Sequence, residues 1–182
     1  SVPVTLKMRM GWCHDSLNAP ELARIAQDLG AKMITVHGRT RNQMYKGSAD
    51  WSFVRQVKDA IELPVIVNGD ICSIDDAREA LRQSGADGVM IGRGAYGKPW
   101  LIAQVMAALT GRPIPKDPSI EEQYHLIVDH YRAMLDMYGR DAGVPIANSR
   151  LSPAAEDALS AAEGANEAAQ FSKADPNAAR AA

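Results

Sequence analysis

Residues 64–94 read PVIVNGDICSIDDAREALRQSGADGVMIGRG, and this stretch decides the fold. The apolar run at 64–68 predicts a buried strand. Ser73 predicts the N-cap of a helix that Gly85 ends, and the apolar run at 88–92 predicts a second strand. Short apolar strands joined by helices are typical of a parallel sheet covered by its crossover connections.

The same unit occurs twice more towards the N-terminus. Residues 2–10 and 33–37 form strand-like runs, followed by helical patterns over 21–29 and 51–60. We therefore predict an α/β fold with four successive βα units. Four units fit half of a closed (β/α)8 barrel or a small open sheet, and the pattern alone leaves both open. The 182 residues are fewer than the roughly 250 of a complete barrel.

Two further helices are predicted after the last strand, over residues 99–109 and 119–139. Ser119 and Glu122 have the spacing of a capping box, which predicts where the second helix begins. An apolar stripe follows at helical spacing, and Gly139 is expected to end the helix.

The composition changes after about residue 143. Residues 151–182 contain 13 alanines and few large apolar side chains, too few to offset the entropy of ordering the chain. We therefore expect three regions: a βα region over 1–118, a helical segment over 119–143, and a divergent, disordered tail over 144–182.

Composition excludes several classes of protein. The formal net charge of −2 gives no general attraction to nucleic acid. The two cysteines, Cys13 and Cys72, are too few for a disulfide framework or a zinc site, so we expect reduced thiols, no metal and a cytoplasmic protein. No apolar run reaches the ~18 residues of a membrane span.

Polar residues and glycines lie at the carboxyl end of every predicted strand. They are Lys7 and Arg9 in the first, His37, Gly38 and Arg39 in the second, Asn68, Gly69 and Asp70 in the third, and Gly92, Arg93 and Gly94 in the fourth. Ligands bind at the carboxyl ends of parallel strands, so these residues are the candidate site. Glycine backbone and arginine at the last two ends suit a phosphate group.

Residues 92–97 also fit the G-x-G-x-x-G pattern of dinucleotide-binding folds. That signal is weak here, because the pattern lies in the last βα unit. No further strand follows it to supply an acidic ligand for a ribose.

Taken in order, the motifs resemble the tRNA-dihydrouridine synthase family over about residues 3–140. They are VTLKMR with GW (4–9, 11–12), ITVHGRTR (34–41), QxYxGxADW (43–51), NGDI (68–71), and DGVMIGRGA with PW (87–95, 99–100). The resemblance implies the C-terminal half of a TIM barrel, followed by the first helix of a helical tRNA-binding domain. It also implies FMN as cofactor, NADPH as reductant, and reduction of uridine in tRNA to 5,6-dihydrouridine.

The resemblance assigns roles to individual residues. Lys7 is expected at the N1/O2 edge of the flavin ring, and His37 is also expected to contact the flavin. Five residues are expected to hold the ribityl phosphate end: Asn68, Gly69, Asp70, Gly92 and Arg93. Arg39 is expected to face the uracil or the phosphates of the tRNA substrate.

The family's catalytic cysteine lies upstream of the strand at which this sequence begins, and neither Cys13 nor Cys72 matches it. We therefore expect an isolated chain of this sequence to be inactive. The start inside a strand and the loss of resemblance after residue 140 suggest a gene fragment, a frameshift or an artificial truncation. Half a barrel would leave two open sheet edges, which predicts self-association.

Two other functions remain open. One is an FMN-dependent TIM-barrel oxidoreductase that acts on a small molecule. The other is a non-catalytic remnant that binds a phosphate ligand.

Overall fold

A computed structural model describes residues 2–148, and the chain divides into two compact units, residues 1–116 and 117–182. The first unit contains a four-stranded parallel sheet in the order β1 (Leu6–Arg9), β2 (Ile34–His37), β3 (Val65–Asn68) and β4 (Gly88–Met90). Neighbours in sequence are neighbours in the sheet, as for consecutive strands of a (β/α)8 barrel. A doubly wound sheet would reverse this order at a switch point.

Helices follow all four strands, as the sequence predicts. They are α1 (Ala19–Asp28), α2 (Val54–Lys58), α3 (Ile74–Ser84) and, after a 3-10 turn at Arg93–Ala95, α4 (Leu101–Leu109). The helix expected over 51–60 is shorter than predicted. Residues 51–53 form a turn, and the Asp50 carboxylate accepts a hydrogen bond from the Phe53 amide at 2.9 Å, just before α2 begins.

The two faces of the sheet differ in chemistry. Ile34, Val36, Val65 and Val67 are fully buried and belong to one apolar core together with alanines and valines of α1, α2 and α3. The strand residues between them point to the opposite face, because side chains alternate along a strand. There Lys7, Arg9, Thr35, His37 and Asn68 are polar, whereas Ile66 and Met90 are apolar.

The second unit contains α5 (Ile120–Asn148). The predicted capping box is confirmed: the Ser119 amide donates to Glu122 Oε2 at 2.7 Å, and the Glu122 amide donates to Ser119 Oγ at 3.3 Å. Gly139 has non-helical backbone angles (φ 72°, ψ 169°) and interrupts α5 where the helix was expected to end.

The helix resumes after this break and continues to residue 148. Residues 144–148 are therefore helical, although they were assigned to the disordered tail. The rest of that predicted tail, 149–182, lies outside the described residues. Within residues 2–148, none of the helices combines the length and apolarity that a bilayer crossing requires.

The N-cap of α3 provides a test of local stability. Ser73 Oγ accepts a hydrogen bond from the Asp76 amide at 3.0 Å. Replacing Ser73 with Ala should lower the free energy of unfolding by about 1 kcal/mol, whereas Ser73→Asp should keep most of it because aspartate caps equally well. Urea denaturation of the three proteins measures this. Equal stability of Ser73→Ala and the unmodified chain would contradict it.

Candidate functional site

A cavity of about 630 Å³ lies at the carboxyl ends of the strands. All seven residues expected at the cofactor line it: Lys7, His37, Asn68, Gly69, Asp70, Gly92 and Arg93. Volumes of a few hundred Å³ are usual for sites that bind small molecules and cofactors.

Strand register explains why these residues meet. Arg9 pairs with His37, His37 with Asn68, and Asn68 with Met90, so one row of side chains crosses the whole sheet. Lys7 lies two residues before Arg9 and therefore points to the same face. Asn68 also donates from Nδ2 to the Met90 carbonyl at 2.8 Å, which joins the ends of β3 and β4.

The turn after β3 has a backbone that few residues other than glycine adopt. Gly69 has φ 118°, and a Cβ there would lie 2.7 Å from the Ala49 side chain and 2.8 Å from the His37 ring. Asp70 follows at φ 54°. Trp51 Nε1 donates to the Gly69 carbonyl at 2.7 Å and so holds this turn in place.

The loop after β4 packs directly against the same turn. A Cβ on Gly94 would lie 2.1 Å from the Ile71 carbonyl oxygen, so only glycine allows this approach. Gly92 also lines the cavity, and a Cβ there would meet nothing within 4 Å. The Gly92 backbone is therefore accessible to a ligand, and the half-exposed Arg93 side chain lies next to it.

Arg39 occupies a different place from the one that a substrate contact requires. Its side chain is 2% exposed and is not part of the cavity lining. The guanidinium binds both carboxylate oxygens of Asp70, at 2.8 and 2.6 Å. It also donates to the carbonyls of Lys46 and Gly47, at 3.2 and 2.6 Å. Arg39 is thus engaged inside the protein instead of facing a nucleic acid.

His37 is neutral at neutral pH. Burial is the largest cause of the lowered pKa of His37, which is about 4 instead of 6.5. The positive charges of Arg9, Lys7 and Arg39 lower this pKa further, and the Asp70 carboxylate opposes them. Burial and, next, the charge of Arg9 also lower the pKa of Lys7.

The protonated nitrogen of His37 follows from its neighbour. Arg39 Nη1 lies 3.4 Å from His37 Nε2. An arginine side chain has donors and no acceptor, so Nε2 accepts in this contact and the ring proton lies on Nδ1.

Sequence reasoning gave no role to Tyr45, although this residue belongs to the QxYxGxADW motif. It lines the cavity, is 60% exposed, and has the guanidinium groups of Arg93 and Arg9 at 4.7 and 5.8 Å from its ring centroid. Arg9 itself donates to the carbonyls of Thr40 and Met44, at 2.8 and 2.9 Å, and anchors the loop that carries Tyr45. In the sequence, only the motif could have indicated Tyr45, because the two arginines next to its ring lie far from it along the chain.

The two cysteines lie in different surroundings. Cys13 Sγ is 3.2 Å from Ser16 Oγ in the loop after β1, away from the cavity lining. Cys72 is exposed and lines the cavity beside the turn after β3. In residues 2–148, His, Cys, Asp and Glu side chains form no group of three or more that could hold a metal ion.

The family model for dihydrouridine synthase (Dus) matches residues 1–181. The chain belongs to the dihydrouridine synthase family. This match extends beyond the 3–140 over which the motifs resembled the family, so the expectation that family resemblance ends near residue 140 is wrong.

Curated relatives lead to the same family. A probable tRNA-dihydrouridine synthase of Rickettsia conorii is 55% identical over 150 residues, which are 82% of this chain and 45% of the relative. The relative from Rhizobium leguminosarum bv. phaseoli is 44% identical over 175 residues, 96% of this chain and 53% of its own length. A tRNA-dihydrouridine synthase B of Xanthomonas axonopodis pv. citri is 46% identical over 158 residues, 86% of this chain and 47% of its own. The chain thus spans about half the length of these synthases.

The surroundings of the His37 side chain predict the pH at which its imidazole takes up a proton. The imidazole should titrate near pH 4, because burial and three neighbouring cations disfavour the charged ring. Replacing Lys7 with Met should raise this midpoint but leave it below 6.5, because burial, the largest cause, remains. NMR of the ring resonances measures both values, and a midpoint at or above 6.5 in the unmodified chain would contradict this expectation.

The same shift has a consequence for stability. Between pH 6.5 and 4, unfolded chains take up a proton at this histidine while folded chains do not. His37 should therefore make the fold less stable as the pH falls through this range, with no further loss below it. A His37→Gln variant should lose this part of the pH dependence.

Proposed function

We propose that this chain forms the flavin-binding part of a tRNA-dihydrouridine synthase, which reduces uridine in tRNA to 5,6-dihydrouridine with NADPH as reductant. One observation carries the proposal. In a member of this family, seven residues from four successive strand ends line a single cavity. We further propose that the four βα units form half of the (β/α)8 barrel of the complete synthase.

The residues present fit FMN. Lys7 and the Nδ1–H group of His37 would bind the polar edge of the flavin ring, since both side chains lie on the cavity face of the sheet. The accessible backbone at Gly92 and the guanidinium of Arg93 would bind the phosphate, with glycine backbone and a bidentate cation as its partners. When bound, FMN supplies the hydride chemistry of the reduction, and the protein supplies position and charge.

Charge in the cavity supports an anionic ligand. Lys7, Arg9 and Arg93 line the cavity as cations, and the single carboxylate among the lining residues, Asp70, is paired with Arg39. A neutral His37 adds a hydrogen-bond donor without a further charge.

The complete reaction needs a proton donor beyond these residues. Neither Cys13 nor Cys72 matches the position of the family's catalytic cysteine, so we propose that these 182 residues bind the flavin without completing the reduction. The tRNA substrate, the use of NADPH and a cytoplasmic location are proposed for the whole synthase. The buried position of Arg39 leads us to withdraw it as a substrate contact.

Flavin titration tests the proposal. The purified chain should bind FMN with a change in the visible absorbance of the flavin. Arg93→Gln should weaken FMN roughly tenfold or more, as expected for a lost hydrogen bond to a charged group, and should change the affinity for riboflavin little because riboflavin has no phosphate. Arg78→Gln is a matched control, since Arg78 is an exposed arginine of α3 that pairs with Asp75.

The outcomes separate the parts of the proposal. If the unmodified chain bound no FMN, the proposed cofactor site would be wrong. If Arg93→Gln weakened FMN and riboflavin equally, the phosphate would lie elsewhere in the cavity.

We also propose that the chain self-associates through the edge of its sheet at β1. In the described part of the chain, β1 pairs with β2 alone, and Val2 and Val4 just before it are 87% and 70% exposed. Val4→Lys should shift sedimentation towards the monomer, because a charge at a sheet edge opposes pairing. Ile120→Lys replaces a similarly exposed residue of α5 and should have no such effect. A monomer at all concentrations would refute the association.

A further inference from the structure

The carboxylate of Asp70 is fully engaged. Both of its oxygens accept hydrogen bonds from Arg39, at 2.8 and 2.6 Å, and Oδ2 also accepts one from the Ala49 amide at 2.7 Å. This pair is not a surface ion pair, since the Arg39 side chain is 2% exposed.

Asp70 lies beside the cation that faces the cavity. Arg93 Nη2 is 3.8 Å from Asp70 Oδ1, and Gly94 packs against the Ile71 carbonyl next to Asp70. Without Arg39, this carboxylate would bind Arg93 more closely than in the present ion pair of 3.8 Å and would repel an anion. The bidentate contact from Arg39 therefore matters for any phosphate that binds at Gly92 and Arg93.

The pair also holds the shape of the turn. Asp70 has φ 54°, a conformation that is uncommon for residues other than glycine. Arg39 reaches from the end of β2 to this turn and to the carbonyls of Lys46 and Gly47, so one guanidinium connects three segments of the rim. A lysine could not reproduce this planar set of donors.

We propose that Arg39 is a positioning residue of the anion site. By binding Asp70 it compensates the charge of that carboxylate and leaves Arg93 available for the phosphoryl group of a ligand. The inference rests on the proposed function for the identity of the ligand as FMN, but the anion site itself can be probed with inorganic phosphate.

The pKa of Asp70 agrees with this arrangement. Burial, the largest single influence, raises it, but the hydrogen bonds from Arg39 and the Ala49 amide and the charges of Arg39 and Arg93 together lower it below its ordinary value. The carboxylate is therefore ionised at neutral pH and needs a permanent counter-charge.

The experiment titrates inorganic phosphate into the full chain and follows the amide resonances of Gly92 and Gly94. Arg39→Gln should weaken phosphate binding roughly tenfold or more, because it frees the carboxylate to compete for Arg93. The double variant Arg39→Gln/Asp70→Asn should recover affinity to within a few-fold of the unmodified chain. Arg55→Gln, which removes an arginine bound to the carbonyls of Arg82 and Gln83, is the matched control and should change nothing.

A purely structural role for Arg39 predicts a different ranking of the variants by phosphate affinity. The double variant would then bind phosphate no better than Arg39→Gln, and this result would overturn the inference. If Arg39→Gln does not fold, Asp70→Asn alone decides: charge compensation predicts phosphate binding at least as tight as in the unmodified chain, and weaker binding overturns the proposal.

The same titration with FMN separates the two proposals. A chain that binds phosphate at Gly92 with the predicted order of variants, but binds no FMN, retains the anion site and loses the flavin assignment. If the unmodified chain and its three variants all bind FMN with equal affinity, the flavin assignment stands and the proposed role of Arg39 is wrong. A chain that gives no phosphate-dependent shift at Gly92 or Gly94 has no anion site, and the inference is then wrong.

Discussion

Parallel pairing of the four strands decides where every polar group of the site lies. Because Arg9, His37, Asn68 and Met90 are successive partners across the sheet, their side chains share one face and one end of it. The alternate residues pack against the helices and form the apolar core. The same register therefore builds the core on one side and gathers the ligand-binding groups on the other. A shift of one strand by a single residue would exchange the two sets.

Much of this architecture could be predicted from the sequence, because its signals are local. The strand at Val65–Asn68, the cap at Ser73 and the capping box at Ser119 each follow from a few adjacent residues. The gathering of polar strand ends was also predictable, since it needs only the rule that parallel strands carry their ligands at the carboxyl end. The family assignment followed from motifs in order along the chain.

The role of Arg39 was not predictable in this way. Its partner Asp70 lies 31 residues further along the chain, and only the packed structure shows that the two side chains meet. Arginine near a predicted ligand site is readily taken for a ligand contact, yet here the guanidinium is enclosed by protein acceptors. The alternation between the two faces of the sheet is hard to recognise in the sequence, because the strands have only three or four residues.

The way the site is assembled links ligand binding to folding. The ligand-facing groups come from four different strand ends, so no short segment of the unfolded chain brings all of them together. A ligand that contacts all four strand ends therefore binds the folded state and has almost no affinity for the unfolded one. Such a ligand shifts the folding equilibrium by mass action, and its saturation raises the melting temperature of the whole sheet. Occupancy of the cavity thereby increases the free energy of unfolding of the whole βα region.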